Sequence, residues 1–255
     1  MIELIKIKNK YFCHVSIMDK KALMFLDTGS SMSSIANKFC GDSTVVAHVK
    51  QAGQSGELGE TLEVKRVNDI DIDGFKIKYH NFIVKDETIG DYLCDGIIGA
   101  DLLFKENLIL DFKNNTLSFS PIKINEGLEF SHQNNGILFN IKLNDIELRN
   151  MIFDTGASLF SIDKSLAKKY NLNKVKNEED FKICDSNGII IDHETYLVEN
   201  IEIGNLSKDN LIAHGFCFEK INKLKKEPEN GIIGQVVFDK QVFKFDFSTK
   251  KCIIC

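Results

Sequence analysis

The sequence predicts a mostly β protein made of two similar lobes with only short helices. Throughout the 255-residue chain, stretches of alternating apolar and polar residues are separated by Asn, Asp and Gly, which is the pattern of hairpins. Three sequence blocks of the first half also recur, in the same order, in the second half. With 43% hydrophobic residues, the chain has enough apolar side chains to build a core.

The recurring blocks define two predicted domains. The paired blocks are MFLDTGSSMSSI (24–35) with MIFDTGASLFSI (151–162), DGIIGADLL (95–103) with NGIIGQVVF (230–238), and LDF (110–112) with FDF (245–247). A repeat of this kind indicates one duplicated unit. The segment PIKINEGLE (121–129) lies between the copies and is typical of a linker, so we predict domains at residues 1–122 and 123–255.

Turn residues give the predicted elements in order. Alternating segments on either side of residues 19–21 predict a first hairpin, those around Asn144 and Asp145 predict its counterpart, and residues 114–115 turn another. Helix is sparse. Residues 163–172 predict one short helix with Asp163 as its N-cap, and a helical turn is expected after each Gly-Ile-Ile-Gly.

Composition argues against several classes of function. The net charge is −5, and only two of the 32 basic residues are Arg, so we expect no nucleic-acid partner. No apolar run approaches the roughly 18 residues of a membrane span, so no membrane partner is expected. The six His have no metal-ligand spacing, and Cys252 with Cys255 forms only a single C-x-x-C, so neither metal nor cofactor is expected. Seven Cys without a secretory signal indicate reduced thiols and a cytoplasmic location.

Asp27 and Asp154 are the candidate catalytic residues. Each follows an apolar stretch, where low dielectric disfavours a charged carboxyl. The Gly two positions later lets the chain turn sharply and bring backbone N–H groups to the carboxylate, and the Thr between them can hydrogen-bond to the opposite loop. If duplicated lobes pack about a pseudo-twofold axis, the two acids meet and share one proton, which permits general acid–base hydrolysis of an amide. The supporting loop residues are Thr28, Gly29, Ser30, Thr155, Gly156 and Ala157.

LDTGSS (26–31) and FDTGAS (153–158), each followed by GIIG, resemble the two active-site signatures of retropepsin-like and pepsin-like aspartic proteases. The resemblance covers most of both halves. It implies a bilobal acid-protease-like fold, with two pseudo-twofold-related closed β-barrel lobes that are retropepsin-like and fused in one monomeric chain. It also implies that an apolar-apolar-Gly strand threads beside each acid loop. These scaffold residues are Ile97, Ile98, Gly99, Ile232, Ile233 and Gly234.

The same resemblance implies that the two chain ends pair in a sheet that joins the lobes. The loops themselves differ after the glycine, where Ser30 stands in the first loop and Ala157 in the second. A hydrogen bond from the Ser30 hydroxyl would stabilise the Asp27 anion. We therefore predict that Asp27 tends to be the charged member of the pair and Asp154 the protonated one, within a coupled titration.

Members of the family close the cleft with one or two hairpin flaps, which hold an extended peptide by backbone hydrogen bonds. The candidates are the Gly-rich segment 51–60 and segment 184–191, which has an Asn-Gly turn. The first segment has no Tyr, which favours the retropepsin type of flap over the pepsin type. The charged segment 219–230 is expected to be a solvated loop. The candidate flap residues are Gly53, Ser55, Gly56, Leu58, Ser186, Asn187 and Gly188.

These observations predict an aspartic endopeptidase that acts on a peptide or protein substrate in extended conformation. The alternative is a catalytically weak peptide-binding or assembly module that retains the fold. The presence of both Asp-Thr-Gly loops favours the enzyme, because a binding module has no need for two acids.

Overall fold

The computed structural model describes residues 1–72, 74–89, 92–176 and 182–255. Strands make up 56% of the structure and helices 9%, so the predicted mostly β fold with short helices is confirmed. Within the described ranges, no helix has the length and apolar character needed to span a membrane.

The elements of the first half are mainly strands, with two short helical turns between them. The strands are β1 (Ile2–Glu3), β2 (Ile5–Ile7), β3 (Lys10–Ile17), β4 (Lys20–Leu26), β5 (Ser34–Ile35), β6 (Thr44–Ala52), β7 (Leu58–Ile72), β8 (Phe75–Val84), β9 (Glu87–Ile89), β10 (Tyr92–Cys94), β11 (Gly96–Ile98), β12 (Leu108–Asp111) and β13 (Thr116–Phe119). The helical elements are a 3-10 turn (Asn37–Phe39) and α1 (Ala100–Leu103).

The second half repeats this composition with slightly more helix. Its strands are β14 (Leu128–Gln133), β15 (Gly136–Leu143), β16 (Ile146–Phe153), β17 (Phe160–Asp163), β18 (Asn173–Val175), β19 (Ile183–Cys184), β20 (Ile190–Ile191), β21 (Glu194–Ile203), β22 (Leu206–Phe216), β23 (Gly231–Ile233), β24 (Val242–Asp246) and β25 (Lys251–Ile254). Its helices are α2 (Lys164–Lys169), α3 (Glu219–Asn222) and α4 (Gln235–Phe238). As predicted, Asp163 caps α2, because its side chain accepts from the backbone N–H of Ser165.

The hairpins β3–β4 and β15–β16, which lead to the two acids, use the same kind of turn. Met18 and Asp19 connect the first hairpin with φ values of 48° and 61°, and Asn144 and Asp145 connect the second with 45° and 64°. Two successive left-handed residues form the connection that suits the right-handed twist of paired strands. The second turn lies where the sequence predicts it, and the first begins one residue before the predicted segment.

Each half closes a ring of six hydrogen-bonded strands. In the first half the order is β3-β4-β11-β5-β8-β7, and β7 returns to β3 with Ile70 opposite Ile17. In the second half the order is β15-β16-β23-β17-β22-β21, and β21 returns to β15 with Ile201 opposite Leu143. A closed six-stranded barrel is therefore confirmed, and the strand order of one ring corresponds to that of the other.

Strands from both halves also form a sheet that continues through β14 into the ring of the second half. Its order is β1-β13-β12-β24-β25-β14, and β12 pairs with β24 so that Leu110 lies opposite Phe243. Both chain ends lie in this sheet, as the resemblance implies. They do not pair with each other, however, because β13, β12 and β24 lie between β1 and β25.

One hydrophobic core cluster includes residues of both predicted domains. Phe112 of the first half packs against Phe238 and Phe243, with ring centroids 4.9 and 6.3 Å apart. Phe153 contacts the same two rings, each at 4.9 Å. Since buried aromatic side chains contribute strongly to core stability, this cluster fixes the end of β16 directly before Asp154. The boundary between residues 122 and 123 stays a prediction.

Candidate active site

The two Asp-Thr-Gly loops face each other between the rings. The side chains of Asp27 and Asp154 are within hydrogen-bonding contact, and we call them the carboxyl pair. Gly29 lies directly against the Asp154 carboxyl, and Gly156 lies against the Asp27 carboxyl. A Cβ atom at either glycine would overlap the opposite acid, so the close approach of the loops requires glycine at both positions.

A short parallel strand fixes the first acid. Ile97 and Ile98 of β11 lie opposite Phe25 and Leu26 of β4, and the N–H of Asp27 donates to the Ile98 carbonyl at 3.0 Å. The carboxyl is therefore placed by backbone pairing on the strand that precedes it.

The second acid is fixed in the same way. Ile232 and Ile233 of β23 lie opposite Ile152 and Phe153 of β16, and the N–H of Asp154 donates to the Ile233 carbonyl at 3.1 Å. The glycines that directly follow these short strands also take equivalent places. Gly99 lies against the Ser30 carbonyl, and Gly234 lies against the Ala157 carbonyl. The structure thus places all six predicted scaffold residues beside the acid loops.

Backbone donors hold each carboxylate in the same geometry. Oδ1 of Asp27 accepts from the N–H groups of Gly29 and Ser30 at 2.9 and 3.1 Å. Oδ1 of Asp154 accepts from Gly156 and Ala157 at 2.7 and 3.1 Å. These bonds favour the charged form of a carboxyl group that its surroundings otherwise desolvate.

The two threonines lock the loops together reciprocally. The N–H of Thr28 donates to Thr155 Oγ1, and the N–H of Thr155 donates to Thr28 Oγ1, both at 3.0 Å. Thr28 Oγ1 also donates to the Phe153 carbonyl at 2.8 Å, and Thr155 Oγ1 donates to the Leu26 carbonyl at 2.9 Å. Both threonines are fully buried. This four-bond lock is the contact across the loops that their sequences predict.

The carboxyl pair has unequal surroundings, but not for the predicted reason. The Ser30 hydroxyl donates to the Met32 carbonyl at 2.8 Å, so the expected bond from this hydroxyl to Asp27 is wrong. Burial and the facing Asp154 carboxyl raise the pKa of Asp27 well above its usual value, against the lowering effects of the Ser30 N–H and Lys10. Asp27 therefore keeps its proton to a higher pH than an isolated carboxyl does, and which member of the pair carries the charge stays a prediction.

Lys10 is a charged neighbour of the carboxyl pair that no motif singled out. Its ammonium donates to the Gly156 carbonyl, although Lys10 belongs to β3 in the first half. Burial lowers the pKa of Lys10, and the charges of Asp154 and Asp27 oppose that effect. The repeat itself held no signal for this role, because the alignment of Asp27 with Asp154 places Lys10 at Ile137. Only the strand pairing shows that Gly136 takes the equivalent position.

The candidate flaps are two hairpin tips that contact each other. Segment 53–57 connects β6 to β7, and segment 185–189 connects β19 to β20. Ser55 Oγ donates to Asp185 Oδ2 at 2.5 Å, and Gly53 lies directly against the same carboxyl. Asn187 Nδ2 donates to the Glu57 carbonyl at 3.2 Å. Asp185 is thus the centre of the contact, although the sequence prediction did not name it among the flap residues of segment 184–191.

The remaining flap residues lie around this contact. Gly56 lies against Lys220 and Ile221 of α3, while Leu58 at the start of β7 is exposed. Ser186 and Gly188 lie in the second turn, where Gly188 has a φ of 75° that a residue with a side chain adopts only with strain.

Residues of both flap hairpins pack on an apolar cluster beside the second acid loop. Ala52 at the end of β6 and Ile191 of β20 pack on the same small apolar cluster as Ala157. Buried Ile221 belongs to that cluster, so the expectation of a solvated loop for residues 219–230 is wrong at α3. There, burial of one apolar side chain outweighs the surrounding charge.

Metal-binding groups do not cluster in the part of the chain that the structure describes, since no three His, Cys, Asp or Glu side chains lie together. All seven cysteines are free thiols. Cys252 is buried while Cys255 is exposed, so the two residues of the C-x-x-C are in different environments.

Comparison with known proteins identifies the region around the second acid. Residues 139–236 match the family model described as aspartyl protease. No curated protein matches the chain. The matched region begins in β15, contains Asp154, Thr155 and Gly156, and ends in α4. The resemblance to retropepsin-like aspartyl proteases that the sequence motifs indicated is therefore confirmed, on a match to the second half of the chain.

Proposed function

We propose that this protein is an aspartic endopeptidase in which Asp27 and Asp154 together hydrolyse a peptide bond. The observation that carries the proposal is the reciprocal threonine lock, which brings one acid from each half into contact. The match of the second half to an aspartyl protease family supports peptidase chemistry in general. The equivalent geometry of the first half supplies the second acid.

The proposed reaction uses the pair in its singly ionised state. The charged carboxylate takes a proton from a water molecule, whose oxygen attacks the peptide carbonyl carbon, while the protonated carboxyl gives its proton to the carbonyl oxygen. The resulting tetrahedral diol then breaks its C–N bond as the nitrogen takes a proton from the pair and one diol hydroxyl gives its proton back to the pair. The products are a carboxylic acid and an amine, and the pair regains its single proton.

The proposed substrate is a peptide or protein segment in extended conformation, held between the carboxyl pair and the two flap tips. Backbone hydrogen bonds from a hairpin tip suit an extended chain of varied sequence. The contact between Ser55 and Asp185 closes the flaps on each other, so the substrate enters after these tips separate. We further propose a monomer with lobes at residues 1–122 and 123–255 in a reducing, cytoplasmic setting, which the free thiols support.

The test is hydrolysis of a mixed peptide library from acid to neutral pH. We expect wild-type protein to cleave, and Asp27→Asn and Asp154→Asn each to lose about 10²–10⁴-fold in rate, because general acid–base catalysis contributes on that order. Mass spectrometry of the products measures both the rate and the bonds cut. The matched controls are Asp19→Asn and Asp145→Asn, which change an exposed Asp in the turn of each hairpin and are expected to keep full activity.

Cleavage that persists in both acid variants would exclude the carboxyl pair as the catalytic group. If wild-type protein binds library peptides and cleaves none of them, the peptide-binding module is the better description of the molecule.

A further inference from the structure

Lys10 crosses from one half of the molecule to the acid loop of the other. It is the first residue of β3, and its ammonium donates to the carbonyl of Gly156. The same ammonium lies 5.6 Å from the centre of the Phe25 ring, within the range of a cation–π contact. Phe25 is two residues before Asp27. The charge is therefore held between the two loops that carry the acids.

The second half has no equivalent charge. Phe12 of β3 lies opposite Phe25, and Leu138 of β15 lies opposite Ile152. Counting back two residues in each strand places Gly136 where the first half has Lys10. The carboxyl pair thus has a lysine on one side and a glycine on the corresponding side.

The charged groups around the carboxyl pair determine the electrostatic effect of Lys10 on its titration. The negative charges of Asp154 and Asp27 act to raise the pKa of Lys10, and the positive charge of Lys10 lowers the pKa of Asp27. Behind the first loop, the carboxylate of Asp101 faces His80 at 3.0 Å. Behind the second loop, the neutral side chain of Gln235 donates to the Thr155 carbonyl at 2.6 Å.

We propose that Lys10 is a positioning residue of the peptidase, which supplies a fixed positive charge to the carboxyl pair and ties the second acid loop to the first half. This inference rests on the proposed function. A nearby cation favours the charged forms of a carboxyl pair. Lys10 therefore lets the singly ionised pair form at lower pH than the two acids would allow alone.

The first test is the pH profile of kcat/KM on a peptide that wild-type protein cleaves. For Lys10→Met, which keeps the length of the side chain and removes the charge, we expect both limbs of the profile to move up by about 0.5–1 pH unit. Lys10→Arg should keep the wild-type profile. Lys20→Met is the matched control, because Lys20 is exposed at the start of β4, and it should leave the profile unchanged.

A loss of rate in Lys10→Met that is equal at every pH would overturn the proposal, because such a loss indicates only a structural contact.

The second test does not depend on peptidase activity. Carboxyl-carbon NMR of labelled aspartates follows the titration of the pair in wild type and in Lys10→Met. We expect the titration midpoints of the carboxyl pair to rise in the variant, and unchanged midpoints would overturn the role of Lys10. A risen midpoint in a protein that cleaves no peptide would contradict the proposed function while leaving the electrostatic role of Lys10 intact.

Discussion

In the first half the side chain of Asp101 stabilises the acid loop by accepting hydrogen bonds, whereas in the second half the side chain of Gln235 stabilises it by donating one. Asp101 Oδ1 accepts from the N–H and the hydroxyl of Ser33 at 2.9 and 2.7 Å. Gln235 instead donates its side-chain amide to the Thr155 carbonyl. The two stabilising side chains therefore differ in charge, in whether they accept or donate hydrogen bonds, and in the atoms to which they bond.

At the acids themselves, the hydrogen bonds of the two loops are equivalent, although only the first half places a lysine there. Each carboxylate accepts from the N–H groups of the second and third residues after it, and each threonine makes the same two bonds across the loops. This comparison teaches that the two halves share their hydrogen-bond geometry at the acids, where the proposed reaction would take place. Behind the loops, any side chain that satisfies the buried polar groups is sufficient.

Substitutions in the threonine lock are expected to have the largest effect on the geometry that the two loops share. Thr28→Val and Thr155→Val each remove one hydroxyl and leave a buried N–H and a buried carbonyl without partners, so we expect each to lower the free energy of unfolding by about 2–4 kcal/mol. Since the bonds are reciprocal, the two losses should agree within about 0.5 kcal/mol. Urea unfolding followed by circular dichroism measures both.

The controls are Thr28→Ser and Thr155→Ser, which keep the hydroxyl and should lose less. Clearly unequal losses for the two valine variants would mean that one loop carries the lock and that the halves are less alike than their bonds suggest.

The pH dependence of stability gives a smaller and more specific contrast. Because the pKa of Asp27 is raised well above 3.8 in the folded protein, folded Asp27 binds a proton that unfolded Asp27 has released. The stability from this group is complete below about pH 4 and is lost as the pH rises to the raised pKa. Asp27→Asn removes that loss. As the pH rises to the raised pKa, we therefore expect the free energy of unfolding of the variant to increase relative to that of wild type, by about 1.4 kcal/mol for each unit by which the pKa is raised.

Unfolding free energies of wild type, Asp27→Asn and the exposed control Asp19→Asn at a series of pH values check this expectation. Asp154→Asn should flatten the pH dependence as well, because the Asp154 carboxyl is one cause of the raised pKa of Asp27. A constant difference between wild type and Asp27→Asn at all pH values would mean that Asp27 is not perturbed.

The parts of the fold and site that the sequence predicts are those fixed by local residues or by the internal repeat. The turn at Asn144 and Asp145 follows from the tolerance of Asn and Asp for left-handed backbone. The contact between Asp27 and Asp154 follows from the repeat, since duplicated loops that pack about a pseudo-twofold axis meet there.

The parts that the sequence does not predict depend on residues far apart in the chain. The hydroxyl of Ser30 had two acceptors within reach, and only the folded loop shows that it donates to Met32. Lys10 is distant in sequence from Gly156, and Ser55 from Asp185, so no local pattern pairs them. Such contacts depend on how the two halves sit against each other.

The central claim is that one acid from each half acts as a single catalytic unit. The most direct test measures kcat/KM for Asp27→Asn, Asp154→Asn and the double variant on one cleaved peptide. Residues that act as a unit are strongly non-additive, so we predict that the double variant is within about threefold of the weaker single variant. A double variant whose loss is the product of the two single losses would contradict the claim, because the acids would then work independently.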